Sequence, residues 1–269
     1  MNNLLIYCLS MYNEDLDKIK SLNYIPVGLG DEKFSSDWTR DNIGENISNK
    51  NKYYGEYTFH YWFWKNKLHL IDKKTWVGFC AYRRFWGNDL KTLEIKNKKD
   101  FLNKIPDEWN DDEVILGQNI FMDGWSKMKI IKHGLKSFLL KPKFFFKKNY
   151  NLKLHFDSFH GYGNLDKAIE LLNDNDKKDF RFFMETQNHF NRGNMFITNN
   201  KKIIDSFYST IFPWLERCEK VFGFHKGSYG NTRIYAFLME RFISYWFNKY
   251  SRVRVWPIIF YNINKENIN

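Results

Sequence analysis

Residues 76–85 read Trp-Val-Gly-Phe-Cys-Ala-Tyr-Arg-Arg-Phe, and the fold class turns on them. Trp76–Tyr82 is a short apolar run, the pattern of a buried strand, and it leads directly into Arg83 and Arg84. Immediately upstream, Asn51–Leu68 carries Tyr54, Tyr57, Tyr61, Trp64 and Leu68 at steps of three and four. That spacing predicts an amphipathic helix starting at a capping Asn51. Further upstream, Leu4–Ser10 (LLIYCLS) and Tyr24–Gly28 (YIPVG) predict two early strands, the second ending in Gly28-Leu29-Gly30. Downstream, Val114–Gly117 (VILG) predicts a fourth, bounded by Asp111-Asp112-Glu113 and Gln118-Asn119. Strands alternating with helices imply an α/β fold with a mostly parallel sheet flanked by helices, whose ligands bind beyond the carboxyl ends of the strands. By that rule Gly28, Arg83 and Gln118 share one rim. The second half predicts a helix around Leu165–Leu172, a strand at Met195–Thr198, helices near Lys202–Val221 and Thr232–Tyr250, and a final strand Val253–Phe260. There is no internal repeat and no linker-like stretch, so a single domain with a helical C-terminal part is expected.

Composition narrows the function classes. An apolar fraction of 43% with 19% aromatics excludes a disordered chain. No apolar run approaches the ~18 residues of a spanning helix, and Met1–Ser10 lacks the basic start of a leader, which makes a cytoplasmic protein the expectation. Cys8, Cys80 and Cys218 are scattered among apolar neighbours without metal-ligand spacing and read as buried thiols. The formal charge of +11 favours an anionic partner: lipid, nucleic acid or a nucleotide diphosphate. Lys-rich tracts at Lys96–Lys99 and Lys141–Lys148 supply much of that excess, so a merely basic surface explains it equally well.

The strongest chemical signal is Tyr82-Arg83-Arg84 at a strand end. Two adjacent guanidiniums at a core boundary call for an anion, and a diphosphate leaving group is one that preorganised arginines would stabilise. The competing reading is that one Arg is solvated and the other ion-paired. Asp41–Lys65 feeds a helix whose N-terminus can hold phosphate through free backbone N–H groups. Tyr54, Tyr61, Trp62 and Trp64 read as core, whereas Tyr57 and Thr58 stay open as ligand contacts. Glu240 lies on a helix that is apolar on nearly every side, so its carboxylate needs a reason: a general base, or an ion pair with Arg241, Arg233 or Arg83. His155, His160 and His189 read as loop histidines. Phe138–Leu154 mixes aromatics with Lys and suits either an anionic membrane surface or a basic loop.

Val27-Gly28, the run from Gly44 to Asn66 (GENIS-x-x-N-x-x-Y-x-E-x-T-x-x-Y-W-x-W-K-N), Gly78–Phe85, Asn194-Met195-Phe196-Ile197 and Phe237–Phe242 behind Arg233 together resemble a bacterial family. It has long been described as a domain of unknown function, is found among capsule and surface-polysaccharide glycosyltransferases, and includes galactofuranosyltransferases. The resemblance spans nearly the whole chain. It implies a GT-A-like nucleotide-sugar fold, with residues 1–120 as the nucleotide-sugar half and 121–269 as the acceptor half. It further implies transfer, with inversion, from a uridine-diphosphate (UDP) sugar, galactofuranose being one candidate, to a glycan or lipid-linked acceptor at the inner membrane face. Gly28, Asn46, Ser48, Asn51, Tyr57, Thr58, Tyr82, Arg83, Arg84 and Gln118 would hold the donor, Asn194 and Arg233 the acceptor. Ala81 stands where the family has His, and Asn164 where its His-x-x-x-Asp-Leu pattern has Asp, which leaves His160 and Asp166 beside Glu240 as catalytic candidates. Asp-x-Asp occurs at Asp15–Asp17, ahead of any helix-backed rim, and at Asp174–Asp176, read as a helix end. Neither is placed like a metal site, so metal-independent transfer without a cofactor is expected.

Two other classes remain. A non-catalytic basic module binding membrane or nucleic acid would lose its partner in salt. The sequence carries neither an RNA-binding signature nor zinc-finger spacing, so nucleic acid is not the expected partner. A nucleotide-sugar hydrolase on the same fold would turn over donor without acceptor.

Overall fold

The apolar runs become strands because each is too short for a helix and is covered on both faces. The computed structural model describes residues 3–111, 113–122, 151–224 and 228–266. Its strands are β1 (Leu4–Ser10), β2 (Ile25–Gly28), β3 (Thr39–Arg40), β4 (Trp76–Ala81), β5 (Arg84–Trp86), β6 (Glu113–Gly117), β7 (Asn119–Phe121), β8 (His189–Asn191), β9 (Phe196–Thr198), β10 (Arg252–Trp256) and β11 (Ile258–Phe260). The helices used below are α1 (Leu16–Lys20), α2 (Asn51–Tyr54), α3 (Tyr57–Asn66), α4 (Leu152–His160), α5 (Asn164–Glu170), α6 (Asp174–Thr186), α7 (Lys201–Phe222), α8 (Tyr229–Thr232) and α9 (Ile234–Tyr250).

The chain forms two compact units. Unit one comprises Met1–Gln118, Arg192–Ser209 and Trp246–Asn269, and unit two comprises Asn119–Asn191 and Thr210–Tyr245. Unit one holds the main sheet, in the order β10-β6-β9-β4-β1-β2-β3, with β5 and β11 attached beside β4. Every pair along that order is parallel except those made by β9, which runs antiparallel between β4 and β6. A mostly parallel sheet flanked by helices is therefore what the sequence predicted and what is observed. Gly78 makes the seating of β9 possible, since a Cβ there would lie 2.7 Å from Ile197 Cγ1. Trp76, Phe85, Trp86, Phe101, Trp109 and Trp256 fill the core beside the sheet. Each offers a large apolar area to burial. In unit two β7 and β8 form a separate antiparallel ribbon, and Phe180, Trp214 and Phe242 pack against one another.

Several local expectations need correction. The helix expected over Asn51–Leu68 is two helices, because Gly55 adopts φ 60°, ψ −134°, a conformation open to glycine, and ends α2. The buried side chains of α3 are Tyr57, Thr58, Phe59, His60, Trp62 and Phe63, nearly its full circumference. Tyr61 and Trp64, expected in the core, sit at its margin, where they hydrogen-bond Glu45 (2.8 Å) and Asp205 (2.7 Å). The final strand breaks at Pro257, which has no N–H for a ladder. β10 pairs with β6, while β11 turns to pair with β5. His155 and His160 belong to α4 rather than to loops, and Asp174–Asp176 opens α6 rather than ending a helix. Most of the basic stretch Phe138–Leu154, residues 138–150, lies outside the described residues. Among the described residues no helix is long and apolar enough to cross a membrane.

Candidate functional site

In unit one the strand ends are level. Ser10 of β1 pairs with Gly28 of β2, Gly28 with Arg40 of β3, and Leu9 with Ala81 of β4. Beyond Ala81 the chain reverses through Tyr82 and Arg83, so that Ala81 faces Arg84 across a two-residue hairpin. The backbone carbonyls of Tyr82 and Arg83 accept from Ile263 (3.0 Å) and Tyr261 (3.3 Å), which fixes the turn. The Arg83 side chain is exposed, its guanidinium lies 4.8 Å from the centre of the Tyr82 ring, and among the described residues it has no carboxylate partner. Tyr12, from the loop after β1, meets Tyr82 edge-on at 5.1 Å. Burial raises the Tyr82 phenol above its usual pKa, and the charge of Arg83 acts against that rise. Arg84 turns the other way, its guanidinium 5.7 Å from the Phe260 ring.

Next to this rim, Asn51 and Thr58, both expected to hold a donor, are hydrogen-bonded to each other. Asn51 Nδ2 donates to Gly55 O (3.0 Å) and Thr58 Oγ1 (3.2 Å), and Gly30, at φ 79°, leaves its Cβ position 3.7 Å from Asn51 Oδ1. Thr58 supports Asp41, whose carboxyl is 1% exposed and which burial pushes above the ordinary carboxylate range. Asp41 Oδ2 has no hydrogen-bond partner among the described residues. Arg40 donates to Gly30 O (2.8 Å) and Glu32 O (3.1 Å), tying the turn after β2 to β3. Tyr57 donates to Asn194, whose Nδ2 lies 3.4 Å from Glu56 Oε2. Asn194, expected on the acceptor side, thus joins the Tyr57 cluster of unit one. Asn46 and Ser48 shape the turn before α2: Asn46 Oδ1 accepts from Ser48 N (3.2 Å) and Oγ (2.8 Å). Gln118 has a structural use, its amide accepting from Ile258 N (2.7 Å) and donating to Ile258 O (2.8 Å). Gly28 is packed face-on, since a Cβ there would meet the Phe34 ring at 2.6 Å.

No local pattern marks Asp15 as a rim residue. Its carboxyl is buried, accepts from Ser10 Oγ at 2.6 Å, lies 3.4 Å from Asn264 Nδ2, and is raised above the usual range by burial. Asp15 therefore reaches the end of β1, where the expectation placed it ahead of the rim. The second Asp-x-Asp divides: Asp174 is fully exposed, while Asp176 is buried and accepts from Tyr245 (2.8 Å). Among the described residues no group of three His, Cys, Asp or Glu side chains is placed to hold a metal ion.

Unit two contains a cavity of about 460 Å³, whose lining includes Glu240, Arg241, His155 and His160 together with Phe159, Phe190, Tyr229 and Phe237. Glu240 and Arg241 are ion-paired at 2.7 Å, so the partner of Glu240 among the three arginines considered is Arg241. The Arg241 guanidinium lies 3.7 Å from the centre of the Phe190 ring and 3.4 Å from His155 Nδ1. His160 stacks on Phe237 with centroids 4.1 Å apart and approaches Gly230 O at 3.2 Å. Burial first, then the charge of Arg241, lowers the His160 pKa to about 3, and the same two causes hold His155 well below its ordinary value. Asp166 does not line this cavity. It pairs with Lys153 and with Arg181 (2.8 Å), and although burial works against the charged form, these cations bring its pKa below the ordinary range. Arg233 stacks on Tyr229 at 5.6 Å and donates to its hydroxyl at 3.1 Å.

No curated protein matches this chain. Among solved structures the fold is similar to the apo structure of the WbbM bifunctional glycosyltransferase, with a TM-score of 0.58 and 16% sequence identity over 96% of this chain and 45% of that one. The chain spans less than half the length of that protein, and the likeness is one of fold, GT-A-like α/β. The sequence profile of a family described as a domain of unknown function, DUF4422, matches residues 6–251, from β1 to just past α9, and this chain belongs to that family.

Proposed function

We propose that the chain is a glycosyltransferase that moves a sugar from a nucleotide-sugar donor to a glycan or lipid-linked acceptor in surface-polysaccharide assembly. The observation that carries the reading is Arg83, a guanidinium without a carboxylate partner among the described residues, stacked on Tyr82 at the level ends of β1, β2 and β4. Ligands of open α/β sheets bind at such an edge. The GT-A-like fold shared with a protein named as a glycosyltransferase supports the reaction class.

In the proposed reaction an acceptor hydroxyl attacks the anomeric carbon as the carbon–oxygen bond to the diphosphate breaks and its electron pair passes to the leaving oxygen. Arg83 is the proposed clamp on that growing charge, in the role a divalent ion plays elsewhere, which makes the transfer metal-independent. The group around Asn51, Thr58 and Gly30 is the proposed seat of the nucleoside, with UDP the favoured nucleotide and galactofuranose one candidate sugar. Glu240 is the proposed base that takes the hydroxyl proton, and attack opposite the departing diphosphate inverts the anomeric centre.

The test is a thermal-shift titration with uridine, cytidine and guanosine diphosphates, with and without manganese, on the wild type and Arg83→Ala. A shift selective for uridine diphosphate, independent of manganese and weakened roughly tenfold or more in the variant, is expected for loss of a charge-assisted hydrogen bond. No shift with any diphosphate, or equal shifts that vanish with salt, would replace the transferase with a basic binding module.

A further inference from the structure

The cavity of unit two has chemistry of its own. Its walls are mostly aromatic and aliphatic, including Ile120, Met122, Phe159, Phe190 and Phe237. Set into them are a carboxylate, Glu240, a guanidinium, Arg241, and two imidazoles, His155 and His160. The ion pair at 2.7 Å makes the first two electrically balanced, and the Glu240 side chain keeps 20% exposure whereas that of Arg241 keeps 3%. The group presented to a ligand is therefore the hydrogen-bond-accepting carboxylate, with the cation behind it against Phe190. Both imidazoles are held neutral by burial and by Arg241, so among the described residues that line it the cavity has no uncompensated positive charge with which to bind an anion.

We propose, building on the transferase reading above, that this cavity binds one uncharged saccharide unit of the acceptor, with an apolar ring face on the aromatic wall of Tyr229 and Phe237 and a hydroxyl donating to Glu240. The occupant follows from the lining. An alkyl chain would desolvate Glu240 without giving it a hydrogen bond, which is costly. A phosphate or uronate would meet a cation already neutralised by its neighbour. A neutral sugar has both faces the site needs: C–H surface for the rings and hydroxyls for the carboxylate and imidazoles. The volume of about 460 Å³ lies within the range of about 300–1,000 Å³ usual for small-molecule sites. Gly230 contributes by close approach: a Cβ there would lie 2.2 Å from Phe159 O and 3.0 Å from His160 Nδ1, so α8 packs directly on the end of α4 and sets Tyr229 at the cavity.

The experiment is saturation-transfer NMR and titration on the full chain with methyl hexopyranosides and hexofuranosides, the methyl glycoside of a uronic acid, and octyl phosphate. Tyr229 is 68% exposed, so Tyr229→Ala removes a ring without opening the core, and Glu240→Gln keeps the shape while removing the charge. At least one uncharged glycoside should bind, ahead of the uronide and octyl phosphate, and each variant should weaken it by roughly tenfold. Preferred binding of octyl phosphate or the uronide, binding unchanged in both variants, or no transfer to any uncharged glycoside would overturn the assignment. Uridine diphosphate shifts are read on the same samples. A wild-type chain that binds no glycoside but keeps the nucleotide shift strikes this inference alone, whereas a missing nucleotide shift with glycoside binding intact strikes the transferase reading and leaves the saccharide site standing.

Discussion

Lowering the pH from 7 to 5 should destabilise unit one through His60, and the size of the effect follows from where the ring sits. His60 is 1% exposed, 4.2 Å from the Phe79 ring, and its Nδ1 shares a 2.7 Å hydrogen bond with the Tyr208 hydroxyl. Burial lowers its pKa from 6.5 to about 3. The folded state thus keeps the ring neutral while the unfolded chain takes up a proton below pH 6.5, so stability is full above that value and falls with pH until about pH 3. Between pH 7 and 5 the unfolded-state titration alone costs about 1.9 kcal/mol, out of about 5 kcal/mol for the whole displacement. The assay is urea unfolding at both pH values for the wild type and His60→Gln, which leaves Tyr208 a polar neighbour and removes the titrating group. The variant is less stable at pH 7, but its loss between pH 7 and 5 should be smaller than that of the wild type by about 1.9 kcal/mol. An equal loss in both proteins would refute the assignment of a neutral, buried His60.

Glu113 is buried and meets Arg254 (2.8 Å) and Arg252 (3.3 Å), both partly exposed. Burial opposes its ionisation, but Arg254 and Asn110 overcome this and hold its pKa low, so its contribution is present above about pH 4.3 and lost as pH falls through the folded value. Glu113→Gln should cost about 1–3 kcal/mol at pH 7 and less near pH 3 in denaturant titrations. Gln118→Ala strips both partners from the Ile258 backbone and should cost about 1–3 kcal/mol, while nucleotide shifts persist if its role is structural. Gly28→Ala drives a methyl into the Phe34 ring and should lower stability by about 1–3 kcal/mol, read as a reduced midpoint in thermal unfolding.

Much of unit one was legible because its strands are apolar runs with polar ends. β1, β2, β4 and β6 fall within a residue or so of the runs that predict them, and Tyr82-Arg83-Arg84 stands at the edge that the parallel-sheet rule selects. The α2–α3 break was less legible, since the tyrosine spacing continues across Gly55 and only the backbone conformation there shows that two helices meet. Unit two was read least well. α6 is highly charged at its start, and the burial of His155 and His160 depends on α8 and α9, some seventy residues downstream, which no local pattern announces. Glu240 was found because a carboxylate in an apolar helix is costly, and that same cost explains why its partner is the nearest available cation, Arg241.

The sequence by itself determined the alternation of strand and helix, the arginine turn at a strand end and the family, because hydrophobic periodicity and residue identity are local and survive without coordinates. Tertiary structure decided which polar groups are already used. Gln118 is spent on Ile258, Asp166 on Lys153 and Arg181, while among the described residues the Arg83 guanidinium has no carboxylate partner and Asp41 keeps a buried oxygen without a hydrogen-bond partner. The Gln118–Ile258 pairing spans 140 positions of the chain, and those of Asp166 span 13 and 15. Their energies depend on burial and distance, and both exist only once the chain has folded.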